Sequence, residues 1–333
     1  MVTLINSHKC LPTVTFLVKM QQDLAILVNT FQRCKSLQIR KGVQHLEPLQ
    51  TLTKLKHLDL SQNDLGQLFA LYLGETLRQQ DLVVADVVPT LQTLTQLNHL
   101  DLSQNRIRPR GIAILAPALQ QLTQLNHLDL GSNRLDPEGT AYLASALETL
   151  TQLNYLDLSQ NRIRPQGIIK LAPALETLTQ LNHLVLSHNN LGPQGIEALA
   201  PALLQLTQLN HLDLGSNNIG QTGIHNLAPA LLQLPQLDHL GLGSNDLGSK
   251  GIADFVPTLP TLLQLTQLKH LGLGSNDLGK TGMQHLVKGL DTLTKLEHLD
   301  LKFNFHKNCH EHLQAANVNV FTRFNTISPF WID

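Results

Sequence analysis

Eight histidines stand at one register of this sequence: His57, His99, His127, His183, His211, His239, His270 and His298. Two residues further on runs an acidic series, Asp59, Asp101, Asp129, Asp157, Asp213 and Asp300. Imidazole beside carboxylate could serve catalysis, and neighbouring imidazoles could share a zinc ion. Either chemistry needs one unique constellation. Eight equivalent rungs define none, so the series reads as copies of one ancestral unit, exposed and solvated. No catalytic, cofactor-binding or metal-ligating residue is assigned. No cofactor is expected, and the chain is not expected to be an enzyme. A Ser-His-Asp elbow, a phosphate loop and a dinucleotide glycine motif are absent from the sequence; strings such as Gly272-Leu273-Gly274-Ser275 read as strand ends.

The departures from the series carry more information. Tyr155 replaces the fourth histidine, and Val185, Gly241 and Gly272 replace the aspartate. Two positions after the aspartate rung, Lys302 stands where other copies have Ser or Gly. At the next position His188 and Phe303 replace Gln or Ser. These changes make the face less acidic toward its C-terminal half, where a partner would find apolar contacts. The expected partner-binding surface is therefore His127, Tyr155, Asp157, His183, Val185, His188, His211, His239, Gly241, His270, Gly272, His298 and Phe303. Two other clusters were weighed. His306, Cys309, His310 and His312 have the composition of a metal site, but their spacing matches no zinc pattern, and the segment reads as the start of a capping helix. Leu11-Pro12, Asp23-Leu24 and Cys34-Lys35 resemble an F-box only in outline. Their spacing is wrong for that module, and the segment reads as an N-terminal cap.

The elements that position these residues repeat with them. LxxLxLxxN occurs nine times, ending at Asn63, Asn105, Asn133, Asn161, Asn189, Asn217, Asn245, Asn276 and Asn304. The period is 28 residues, with one spacing of 42 and one of 31. Within LNHLDLSQN, Leu100 and Leu102 alternate with His99 and Asp101, the pattern of a strand with leucines inward. After a turn with Gly or Pro, Ile112, Leu115, Leu119 and Leu122 form the buried stripe of a helix. The chain turns sharply at each Asn, whose amide can satisfy a buried backbone donor and an acceptor together. The nine Asn are therefore expected to stack as a structural ladder. Pro89, Pro117, Pro173, Pro201, Pro229 and Pro257 share one register, with Ser145 in one copy. Proline removes a helix donor, so the helices are expected to be short or to start near it.

The pattern LxxLxLxxNxLxxxGxxxLAxxL at this spacing is that of a leucine-rich repeat and resembles the ribonuclease-inhibitor-like class. The resemblance covers roughly residues 36–304. It implies an α/β solenoid, a horseshoe with a parallel β-sheet on the concave face and short helices on the convex face. Residues 1–35 are expected to form an N-terminal helical cap, with a helix near Asp23–Val28, and 305–333 a C-terminal cap. Fourteen extra residues at about 67–80 and three near Pro260 are expected on opposite rims. The class implies a cytosolic protein that grips another protein, sometimes an enzyme whose active site it blocks. Near-identical, Gln/Asn-rich repeats are also similar to effectors that intracellular bacterial pathogens deliver into a host cytosol.

Composition agrees with a binding role. Aromatics are only 4% because Leu fills the inward positions, and the net charge of −1 shows no basic stripe for nucleic acid. Cys10, Cys34 and Cys309 are widely separated and odd in number, which suggests a reduced, cytoplasmic setting. The start MVTLINSHKCLP lacks the pattern of a signal peptide, and no apolar run approaches ~18 residues. The expectation is a monomer that sequesters or sterically inhibits a partner protein. The alternative is an adapter that recruits ubiquitin-ligase or other host machinery to a bound target.

Overall fold

The computed structural model describes residues 14–16, 35–39, 47–65, 87–256, 267–290 and 293–304. The expected helix at 23–28, the 67–80 insertion, the extra residues near Pro260 and the segment 305–333, with its histidine cluster, lie outside them. The described residues fall into two compact units, one within 1–161 and one within 162–333.

In the first unit the order is β1 (Val14–Phe16), β2 (Ser36–Ile39), a 3-10 turn (Glu47–Thr51), β3 (His57–Asp59), α1 (Val87–Thr93), β4 (His99–Asp101), α2 (Arg108–Leu119), β5 (His127–Asp129), α3 (Asp136–Leu147) and β6 (Tyr155–Asp157). The six strands pair in parallel in chain order. The second unit runs α4 (Arg164–Glu176), β7 (His183–Val185), α5 (Gly192–Leu203), β8 (His211–Asp213), α6 (Gly220–Leu231), β9 (His239–Gly241), α7 (Gly248–Phe255), β10 (His270–Gly272), α8 (Gly279–Leu290) and β11 (His298–Asp300). Its five strands also pair in parallel in order. Strand alternating with helix is the α/β architecture of a leucine-rich-repeat solenoid. β1 is an addition to the sequence reading, which placed no strand before residue 36.

The core is one leucine stack per unit. In the coil from Leu97 to Leu122, Leu97, Leu100, Leu102, Ile112, Leu115, Leu119 and Leu122 are all fully buried. Full burial of such a side chain contributes about 1.5–3 kcal/mol. Helices of adjacent coils approach closely at a fixed glycine. A Cβ at Gly139 would stand 2.9 Å from Ile112 Cγ2 and 3.1 Å from the Pro109 Cα. The helices are short, as expected, and α2, α4, α5 and α6 carry the register proline in their last turn rather than at their start. Pro117 sits in the last turn of α2, where its missing N–H removes a helix bond just as the helix stops.

The asparagine ladder is built as the sequence implied. Asn133 Oδ1 accepts from the backbone N–H of Asn105 (2.9 Å) and Ile107 (3.3 Å). Its Nδ2 donates to the carbonyls of Leu102 (2.9 Å), Leu130 (2.9 Å) and Gly131 (3.3 Å). The turn around each Asn has left-handed residues at alternate positions, such as Ser132, Arg134 and Asp136. The third of these is Gly in four copies (Gly192, Gly220, Gly248, Gly279) but Arg108, Asp136 or Arg164 in others, at φ of 64°, 54° and 59°. A left-handed residue with a Cβ costs ~1–2 kcal/mol, which the extra freedom of glycine in the unfolded chain partly offsets. Arg108→Gly is therefore expected to stabilise the first unit by about 0.5–1 kcal/mol. A urea midpoint that fails to rise for this variant refutes the strain.

Candidate protein-binding surface

In-register parallel strands lie roughly 4.8 Å apart, so equivalent side chains of neighbouring coils must stack. In the first unit the ring centroids of His99 and His127 are 3.9 Å apart, and those of His127 and Tyr155 are also 3.9 Å apart at 9°. In the second unit His211 stacks on His239 at 4.0 Å and His270 on His298 at 4.4 Å. Each of these rings is half-buried. The histidines were expected to be exposed and solvated. Burial first, then the neighbouring His239 and His183, instead lower His211 to about 4, although Asp213 and Asp238 pull it up. Burial also lowers His99, His183 and His239. Stacked faces leave the ring nitrogens in parallel planes, so they do not converge on a shared ion. Among the described residues no three His, Cys, Asp or Glu side chains gather as metal ligands.

The acidic rungs have a local structural task that the sequence reading missed. Asp101 Oδ1 accepts the N–H of Ser103 (2.8 Å), Asp129 that of Gly131 (2.8 Å), Asp157 that of Ser159 (2.7 Å) and Asp213 that of Gly215 (2.9 Å). An aspartate two residues before a free N–H at a strand end is an Asx turn, and the D-x-[S/G] spacing was its signal. Stacking of carboxylates adds an electrostatic effect. Burial raises Asp129 to about 7; its bond to Gly131 opposes this, and Asp157, Asp101 and Asp59 add to it. Val185, Gly241 and Gly272 have no carboxylate to make this turn.

The structure places His127, Tyr155 and Asp157 on the strand face of the first unit. The strand face of the second unit carries His183, Val185, His211, His239, Gly241, His270, Gly272 and His298. His188 and Phe303 stand beyond the strand ends at equivalent turn positions, both exposed and both left-handed, at φ of 58° and 56°. Phe303 is 83% exposed. Tyr155 stands in the series that was expected to be exposed. It is half-buried in the stack, because the strand spacing brings its ring onto His127. Burial and then Asp157 push its phenol up.

With this geometry in view, similarity to known proteins adds the family. Residues 44–146 match the Zer-1-like leucine-rich repeats, and residues 149–172, 177–200 and 205–228 match the general leucine-rich repeat. The chain is built of leucine-rich repeats. Such repeats generally serve as protein-binding modules, and no catalytic family is among these matches. No curated protein matches the chain by sequence. Among solved structures, the repeats are similar to an internalin (inlF) of Listeria monocytogenes, with 20% identity over 86% of this chain and 90% of that one, at a TM-score of 0.43. They are also similar to the mouse RP105/MD-1 complex, with 20% identity over 88% of this chain and 42% of that one, at a TM-score of 0.50. Among the described residues no helix is long and apolar enough to cross a membrane.

Proposed function

We propose that these repeats bind a partner protein through the strand face of the second unit and the turns that border it, and that binding sequesters or sterically inhibits that partner. The observation that carries this reading is Phe303. A large apolar ring, 83% exposed and held in a left-handed backbone conformation, is costly for the free protein on two counts. The equivalent turns have Ser216, Ser244 and Ser275, which do the same backbone job without an exposed ring. A bound partner would bury that ring, and aromatic side chains concentrate binding energy in this way. The ribonuclease-inhibitor-like resemblance supports a steric mode of action, and the reduced-cysteine reading supports a cytoplasmic setting. The chain would act as a monomer.

Affinity capture with the immobilised full-length chain tests this, followed by titration of the captured protein. Phe303→Ala is expected to weaken binding by about tenfold, in line with ~1.4 kcal/mol for an aromatic anchor, and to leave the unfolding midpoint unchanged or higher. Glu176→Ala, exposed at the end of α4, is expected to bind as the parent does. Loss of affinity in the helix-face variant with retention in Phe303→Ala rejects the strand-face reading.

A further inference from the structure

Two adjacent strands of the second unit lack the carboxylate rung altogether. β9 carries Gly241 and β10 carries Gly272 at the aspartate rung. A Cβ added at Gly272 would meet only the backbone beneath it, with Gly241 Cα at 3.7 Å as the nearest atom. The sheet is therefore bare at Gly272. The flanking strands still have their aspartates: that of β8 leans over Gly241, and that of β11 leans toward Gly274, just beyond β10. A Cβ at Gly241 would lie 2.5 Å from Asp213 Oδ1, and one at Gly274 would lie 3.2 Å from Asp300 Oδ2. His239 and His270 form the upper wall. Their rings are 5.4 Å apart and tilted by 32°, in contrast to the close stack of His211 on His239. The result is a notch with a flat peptide floor, imidazoles along one side and a carboxylate at each end.

Resting on the strand-face reading above, we propose that this notch receives an arginine side chain of the partner. The floor cannot take up an added strand, because its groups are already paired within the sheet. The Leu242 N–H donates to the Gly272 carbonyl at 2.8 Å, and the Leu214 N–H donates to the Gly241 carbonyl at 2.8 Å. The occupant must then be a side chain. It must be cationic, because the leaning groups are carboxylates. It must also be flat, because the floor is a pair of peptide planes with an imidazole beside it. A guanidinium is planar, is always charged, stacks on ring faces and forks onto a carboxylate, whereas an ammonium is a hydrated point charge. The other charges nearby refine the choice of partner group. Lys302, two residues beyond Asp300, places a cation at the β11 end, and Asp238 is paired with Lys269 at 3.7 Å. Asp213 is therefore the carboxylate that the guanidinium pairs with.

The probe is N-acetyl-arginine methylamide, titrated into the full-length chain with its histidine rings isotope-labelled for NMR. The lysine and citrulline analogues are titrated in parallel. The arginine probe is expected to shift the His239 and His270 signals saturably and at least fivefold more tightly than either analogue. Asp213→Asn retains an oxygen for the Gly215 N–H and is expected to weaken the probe at least fivefold. Gly272→Val fills the notch with the side chain that β7 already carries at Val185, and is expected to abolish the shifts with the melting temperature retained. Equal binding of citrulline, an undiminished response in Gly272→Val, or unmoved imidazoles overturns the notch. The protein partner separates this from the broader reading. If Phe303→Ala loses the partner while the arginine probe never moves His239, only the notch fails. If the probe binds as expected while neither Phe303→Ala nor Gly272→Val alters partner affinity, the notch binds arginine but the partner docks elsewhere, and the strand-face reading fails together with the partner's arginine.

Discussion

Asn133→Ala is expected to destabilise the first unit by about 3 kcal/mol, since several buried backbone groups lose partners at once and each such loss costs ~1–3 kcal/mol before relaxation. The side chain is wholly buried. Its removal leaves the N–H groups of Asn105 and Ile107 without their acceptor and withdraws a donor from three carbonyls. Water cannot readily replace the amide, because Leu102, Leu130 and Leu135 around it are fully buried. The damage should also be local. Coils contact mainly their neighbours, so hydrogen exchange should speed up in β4 to β6 and α2 to α3 more than in the second unit. Denaturant unfolding measures the loss. A change within the error of the fit, or one spread evenly over the chain, rejects a ladder that bonds coil to coil.

That ladder shows which parts of the molecule could be read from sequence. The repeat made it legible, because a buried sharp turn needs one short side chain that serves several backbone groups at once, and an amide offers two N–H donors beside a separate carbonyl acceptor. The strand and helix halves were legible from the switch of period at each Asn. The register proline was read only in part: short helices followed from it, and its place within them did not. The rule that proline breaks helices gives a boundary but not which side of it the helix lies on, and here most of the helix precedes Pro117, which stands in its last turn. The acidic rungs were misjudged for another reason. Alternation puts Asp101 on the polar face and says nothing of the Ser103 N–H folded back onto it.

The ring stack is a property of neither residue nor repeat alone. His127 and Tyr155 are 28 positions apart, and only the parallel register brings them to 3.9 Å. Stacking then changes the chemistry of the candidate surface. A solvated histidine face would bind its partner through imidazolium charge near neutrality, with a response expected between about pH 5.5 and 7.5. Burial holds His99, His183, His211 and His239 below their ordinary value, so these rings keep their neutral form to lower pH and present ring faces instead. The same lowering reduces the like charge that the arginine proposed for the notch meets from His239.

The same shifts make acid the condition that separates the two units. His211 takes a proton at its ordinary 6.5 in the unfolded chain but only at about 4 in the fold. Between those values the unfolded chain binds the extra proton, so stability is full above about pH 6.5 and falls as the pH drops toward 4. His183 and His239 are lowered too and act in the same direction. The rings are partly open to water, so the full linkage value is discounted for solvent screening; a loss of ~1–3 kcal/mol in the second unit is expected by pH 4.5. The first unit has an opposing group. Asp129, raised from 3.8 to about 7, keeps its proton longer in the fold than in the unfolded chain. It therefore adds stability as the pH falls from about 7 toward 3.8, against the loss from His99, whose value is lowered. Hydrogen exchange at pH 7.5 and 4.5, corrected for the intrinsic rate, should show β8 to β10 loosening well before β4 to β6. His211→Phe retains a stacked ring without a titrating nitrogen and should remove much of the acid sensitivity of the second unit. Equal loosening of both units, or an undiminished acid response in His211→Phe, means that the stacked imidazoles do not set the stability of this face.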